Sequence, residues 1–260
     1  MSQIAVDKNL CKKDGACIKV CPAGVLAADT EGFPAEIPDS HCILCGHCVA
    51  VCPTGALTHS GLPAEPALPA AKNWPSPEAM DGFLMSRRSV REFKDKPVAK
   101  EVLESLLDIA RRAPTAANSQ LLRWIVVEGK QKLHTIAEEI VEGMRASGVN
   151  PAFLKQWEGG YDFVMRGAST LVVAIAPADY TWRREDSAIA LTYFELAAEA
   201  RGLGVCWAGY LTRCATLYAP LRQLLAVPEG FVVCGALMLG EGTYRYRQVP
   251  PRKPLSVQWN

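Results

Sequence analysis

The chain has few histidines, no long apolar run and almost no excess charge. Only His41, His47, His59 and His134 occur in 260 residues, and three of them fall within the first 60. A Ser-His-Asp hydrolase is therefore a poor fit, and no His-rich metal motif is present. Net charge is +1, which leaves no basic field for nucleic acid and no acidic tail. The longest apolar stretches, Leu171–Pro177 and Phe231–Gly240, are too short to span a bilayer. Met1–Leu10 lacks the apolar segment of a signal peptide. A cytoplasmic protein is expected, with no nucleic-acid or membrane partner. There is no P-loop. In Gly202-Leu203-Gly204-Val205-Cys206-Trp207, a tryptophan stands where the dinucleotide fingerprint requires its third glycine. A Rossmann nucleotide site is unsupported.

Cysteine is plentiful, and its placement is uneven. Seven of the ten cysteines lie in the first 52 residues, in two runs that each end Cys-Pro. The second run, Cys42-x2-Cys45-x2-Cys48-x3-Cys52-Pro53, has the bacterial ferredoxin spacing, in which thiolates wrap an iron–sulfur cubane. The first, Cys11-x2-Asp14-x2-Cys17-x3-Cys21-Pro22, repeats it with Asp14 at the second position. In this pattern the last cysteine of each run serves the other cluster. Cys42, Cys45, Cys48 and Cys21 are thus expected to hold one cluster, and Cys11, Cys17 and Cys52 the other, with Asp14 as an optional fourth ligand. Zinc ribbons use separated Cys-x2-Cys pairs without this repeat, and disulfides need an oxidising compartment to which nothing points. Asp14-Gly15 is also a common turn dipeptide. A carboxylate is a harder ligand than thiolate, so the first cluster is either a four-iron cube with an Asp ligand or a three-iron cluster. Both stay open. Cys206, Cys214 and Cys234 are scattered and read as small buried hydrophobes.

Composition divides the chain into an iron–sulfur domain at 1–60, a Pro/Ala-rich linker at 61–76 and a larger domain at 77–260. Ser76-Pro77 reads as an N-cap followed by proline at the first helical position. Helical spacing is expected over Pro97–Ala113, Gln131–Ala146, Asp186–Arg201 and around Leu217–Leu225, and strands over Leu122–Glu128, Thr170–Ala176 and Phe231–Leu239. The uninterrupted apolar strand at 170–176 should be buried on both faces. Loops at Asn150–Arg166 and Tyr180–Glu185 are expected to shape an acceptor pocket.

The basic cluster Arg87-Arg88-Ser89-Val90-Arg91 is either a solvated helix end or a grip for phosphate oxygens and polarised ring atoms; spacing leaves both open. Met85-Ser-Arg-Arg-Ser-Val-Arg-Glu-Phe followed by Lys96-Pro-Val resembles the opening of the FMN-dependent nitroreductase family. Ala113-Pro-Thr-Ala-Ala-Asn-Ser-Gln120, Gly202-Leu-Gly-Val-Cys-Trp-Ala-Gly209 and Gly240-Glu-Gly…Pro250-Pro-Arg-Lys-Pro254 resemble its later signatures, in order. Leu121 replaces a frequent proline and Ala116 a frequent hydroxyl residue.

The resemblance implies an α+β chain, with a ferredoxin-like two-cluster domain fused to an FMN-dependent nitroreductase-like α/β sandwich. It implies that Arg87, Arg88, Ser89 and Arg91 hold FMN, with Arg91 near the pyrimidine, and that Arg252 closes on the phosphate. Pro114, Thr115, Ala116 and Asn118 would reach FMN from the partner of a homodimer. Cys206, Trp207, Ala208 and Gly209 would pass the reactive face of the ring. No catalytic side chain is expected, because the flavin carries the chemistry.

The function so implied is reduction of a small organic acceptor, nitroaromatic or quinone-like, with ping-pong turnover and electrons from the clusters. A redox protein such as ferredoxin is one expected electron donor. An alternative is an NAD(P)H-oxidising flavoprotein that sends electrons outward through its clusters. A third is a non-catalytic electron carrier.

Overall fold

The structure, a computed structural model, describes residues 3–63, 68–148 and 151–260. Residues 64–67 of the expected linker and Asn150 of the expected acceptor loop lie outside these. The chain packs as two units: Met1–Trp74 with Ala117–Ser119, and Pro75–Ala116 with Gln120–Asn260.

The first unit is one motif used twice, each position returning 31 residues later. It comprises β1 (Ile4–Val6), α1 (Ala16–Lys19), β2 (Leu26–Ala28), β3 (Pro34–Glu36), α2 (His47–Val51) and β4 (Leu57–His59). Gly15 and Gly46 precede the two short helices at φ 71 each, a left-handed conformation that glycine adopts at least cost. The helices follow at once, carrying Cys17 and Cys48 inward. β1 pairs antiparallel with β4, and β2 with β3. The core is small: Ile4, Val25, Leu26 and Leu57 pack with Cys17 and Cys48.

The second unit is a three-layer sandwich. Its elements are α3 (Pro77–Ser86), α4 (Lys100–Ala110), β5 (Arg123–Glu128), α5 (Lys130–Ala146), α6 (Pro151–Glu158), β6 (Thr170–Pro177), α7 (Arg183–Glu199), β7 (Gly204–Trp207), α8 (Gly209–Leu217), α9 (Ala219–Leu224) and β8 (Phe231–Gly240). The strands form one sheet in the order β5-β6-β8-β7, every neighbour antiparallel. Leu171 through Ala176 of β6 are all buried, as its unbroken apolar sequence predicts. Alternation sorts its side chains: Leu171, Val173 and Ile175 join the core shared with α5, α8 and α9, while Val172 and Ala174 join that shared with α4 and α7.

Several boundaries depart from the sequence reading. The stretch around Leu217–Leu225 is two helices, because Pro220 near the start of α9 has no N–H to continue α8, and Tyr218 between them is extended. The expected loop at 150–166 contains helix α6. Gly204–Trp207 is a strand, hidden in the sequence by its brevity and flanking glycines. At the other end, Ser76 Oγ accepts the Ala79 N–H at 3.2 Å, and Pro77 opens α3. That helix buries none of its residues.

Candidate functional site

The cysteine thiols of the first unit are buried or half-buried, and all ten cysteines of the chain are free. Backbone amides point at their sulfurs. Val25 N–H donates to Cys21 Sγ at 3.4 Å and Ala56 N–H to Cys52 Sγ at 3.2 Å, two bonds related by the 31-residue repeat. Leu44 N–H donates to Cys42 Sγ at 3.4 Å. Burial pushes the Cys17 and Cys48 thiols up, and their neighbours add to it: Asp14 and Cys11 beside Cys17, Cys42 and Cys45 beside Cys48. Burial also acts on Cys52, but hydrogen bonds from Thr54 and Ala56 outweigh it and lower that thiol.

Cys11, Asp14, Cys17 and Cys52 line one cavity, the set expected for the first cluster. Asp14 Oδ1 also accepts the Ala16 N–H at 2.9 Å, so the turn role is filled without removing the carboxylate from that cavity. Soft donors with amides aimed at them suit an iron–sulfur group. Among the described residues, no three or more His, Cys, Asp or Glu are spaced to hold a single metal ion.

In the second unit, three distant sequence segments meet at the edge of the sheet. Val90 N–H donates to the Val205 carbonyl at 2.9 Å, and Ser89 bridges Val205 in parallel fashion. Lys94 N–H donates to Glu241 C=O at 2.8 Å, and Thr243 N–H to Glu92 C=O at 3.0 Å. Lys94 and Lys96 both bind the Glu241 carboxylate, and these bonds hold it down to about 2. The Arg87–Lys96 stretch is therefore stitched to β7 on one side and to the end of β8 on the other.

Behind this seam lies a cavity of about 610 Å³. Ser89, Arg91, Cys206, Trp207, Ala208 and Gly209 of the expected flavin contacts line it. Arg166, at the end of the stretch expected to shape an acceptor pocket, lines it too, together with Tyr210 and with Arg213, which the sequence did not single out. Arg166 sits at φ 57, in a turn whose amides at Val164, Met165 and Gly167 are gathered by the Asp162 carboxylate. An Asp followed four residues later by Arg-Gly is a faint signal, and nothing in the sequence links it to motifs 75 residues away. Cys206 is buried, which pushes its thiol up, against the opposing pull of Arg91 and Arg166.

The other expected contacts lie elsewhere. Arg87 makes an ion pair with Glu195 at 2.7 Å, and Trp207 Nε1–H donates to the second Glu195 oxygen at 3.4 Å. Arg88 reaches the Arg87 and Met85 carbonyls, while its buried Nε has no partner. Arg88 itself does not line the cavity, though its neighbour Ser89 does; its orphan donor fits a group that brings an acceptor oxygen. In the 113–120 segment, Asp186 accepts the Ala116 N–H at 3.1 Å. Thr115 Oγ1 accepts the Gln120 N–H at 3.1 Å. Ala117, Asn118 and Gln120 all have positive φ, strain that the surrounding bonds must hold. Asn118 packs in the first unit, donating to the Ile43 and Leu44 carbonyls at 3.0 and 2.9 Å. Pro114 and Arg252 are exposed.

Comparison with known proteins fits this geometry. Residues 84–241 match the nitroreductase family. The chain belongs to that family. Residues 3–53 match the 4Fe-4S dicluster domain, which makes the first unit an iron–sulfur domain joined to a nitroreductase domain. The FMN reductase [NAD(P)H] of Bacillus subtilis is 28% identical over 179 residues, covering 64% of this chain and 67% of that protein. The nitrobenzene nitroreductase of Ectopseudomonas oleovorans is 25% identical over 203 residues, covering 64% of this chain and 88% of its own. Among solved structures, a Bacteroides fragilis nitroreductase with bound FMN aligns with a TM-score of 0.59 at 23% identity. That alignment covers 68% of this chain and 97% of the other, and it carries the fold. Among the described residues, no helix of this nitroreductase is long and apolar enough to cross a membrane.

Proposed function

We infer that this chain is an FMN-dependent oxidoreductase that exchanges electrons between two iron–sulfur clusters and the flavin, and reduces a small nitroaromatic or quinone-like acceptor. The observation that carries this reading is the 610 Å³ cavity on which the first and third family motifs converge. FMN would supply the exchange between one-electron and two-electron chemistry. The chain's own residues supply position and charge. Ser89 and the Cys206–Gly209 segment line the cavity, and Arg91 and Arg166 would bring cationic charge to a reduced ring that gains negative charge. The apolar lining, including Phe163, Met144 and Met238, excludes water. Arg88 and Arg252 are proposed for the phosphate.

The same reading takes the protein as a cytoplasmic homodimer, with Pro114, Thr115, Ala116 and Asn118 completing the flavin site of the other subunit. Helix α3 leaves Met80, Leu84 and Met85 exposed, and the C-terminal tail leaves Leu255 and Trp259 exposed, apolar surface that a second copy would cover. Arg88→Ala or Arg91→Ala should lower FMN content while cluster absorbance stays intact. Full flavin retention in both variants would remove these arginines from the site.

A second reading concerns the donor. One relative is named FMN reductase [NAD(P)H], which favours NAD(P)H as reductant; on that reading the clusters would carry electrons outward. Anaerobic stopped-flow mixing with NADH, NADPH and reduced ferredoxin separates the two by which donor bleaches the flavin absorbance.

A further inference from the structure

His59 closes β4, opposite Ile4 of β1, and its side chain is buried. Both ring nitrogens are engaged. Gly61 N–H donates to Nδ1 at 3.1 Å, so Nδ1 presents its lone pair and carries no proton. The one ring proton of this tautomer is then on Nε2, which lies 3.4 Å from Cys42 Sγ. The Gly61 amide therefore fixes the tautomer, and the tautomer makes His59 a donor to sulfur. The internal repeat supplies a built-in comparison. Thirty-one residues before His59 stands Ala28, at the same place at the end of β2. Alanine has no side-chain proton to give, so the counterpart of Cys42, Cys11, receives nothing from that position.

We propose that His59 is a positioning residue for electron transfer: through Nε2–H···Sγ it holds the cluster ligated by Cys42 at a higher reduction potential than the same cluster would have without it. One electron enters the cluster on reduction and no proton need move. The added negative charge spreads onto the sulfurs, and a hydrogen-bond donor stabilises it more in the reduced state than in the oxidised one. The 31-residue repeat builds two related cages that already differ at Asp14 and Cys45, and His59 adds a second difference between them. The proposal rests on the reading of Cys42 as a cluster ligand.

The test is an anaerobic redox titration followed by EPR on the full chain, comparing wild type with His59→Leu and His59→Gln. In His59→Leu one cluster should become harder to reduce, its reduced-to-oxidised ratio at fixed potential falling about tenfold, the size of one hydrogen bond to a charged acceptor. His59→Gln, which keeps an N–H near the Nε2 position, should stand closer to wild type. Unchanged potentials in His59→Leu with iron content intact would overturn the proposal. Should His59→Leu fail to assemble its clusters, pulsed EPR of reduced wild type carrying 15N-histidine decides. A histidine nitrogen coupling that vanishes in His59→Gln supports it, and absence of any such coupling in wild type refutes it. If wild type itself yields no iron–sulfur signal, the cluster reading fails instead.

Discussion

Gly204 and Val90, 114 residues apart in sequence, touch so closely that a Cβ on the glycine would sit 2.6 Å from Val90 Cγ2. The same two segments are held by the Val90 N–H on the Val205 carbonyl at 2.9 Å. Two family motifs that read as separate signatures are therefore one packed seam, and the 610 Å³ cavity proposed for the flavin lies behind it. Gly204 is required for its lack of side chain, not for a turn.

Gly204→Ala should accordingly destabilise the second unit by roughly 1–3 kcal/mol, the usual cost of overpacking. It should also loosen FMN, because Ser89 and Arg91 flank Val90. Thermal melts and flavin content after gel filtration check both effects.

The Arg87–Glu195 pair is mostly dry, with 26% and 6% of the two side chains exposed. Removing one partner leaves a charge stranded. Arg87→Met is expected to cost about 2–4 kcal/mol, somewhat below the range for fully buried pairs. Glu195→Gln in the same background should recover part of it. A double-mutant cycle by denaturant unfolding gives the coupling; additive effects would show that the pair does not stabilise the fold.

The Cys206 thiol is pushed up by burial, so its thiolate fraction at neutral pH is below that of an ordinary cysteine. Alkylation at Cys206, followed by peptide mass spectrometry, should be slow at pH 7 and still rising above pH 9. A rate that levels off near pH 7 would instead mark a reactive thiol.

Asp14→Cys should give the first cluster a complete thiolate set. The expected outcome is loss of any three-iron EPR signal from the oxidised protein and slower iron loss to chelators. Unchanged spectra would leave Asp14 with only its bond to the Ala16 amide.

Local chemistry made much of this legible in the sequence. The Cys spacing works because a short loop must place several thiolates around one cage, and the apolar run of β6 works because both faces of a central strand are covered. Ser76-Pro77 likewise acts on its own helix alone. What stayed hidden is assembled over distance. Arg166 and Arg213 join Arg91 only through the cavity's tertiary packing. Glu195 is one acid among several on α7 until Arg87 and Trp207 arrive beside it. Asn118 Nδ2 donates to the Ile43 and Leu44 carbonyls, a partnership that no spacing within 113–120 encodes.

Whether the clusters and the flavin share electrons is the most direct test. Rapid-freeze EPR and stopped-flow absorbance should be recorded together on anaerobic protein, reduced by the competent donor and then mixed with a quinone or nitroaromatic acceptor. The reduced-cluster signal is expected to decay in step with flavin turnover. Clusters that hold their redox state while the flavin completes repeated cycles would contradict it.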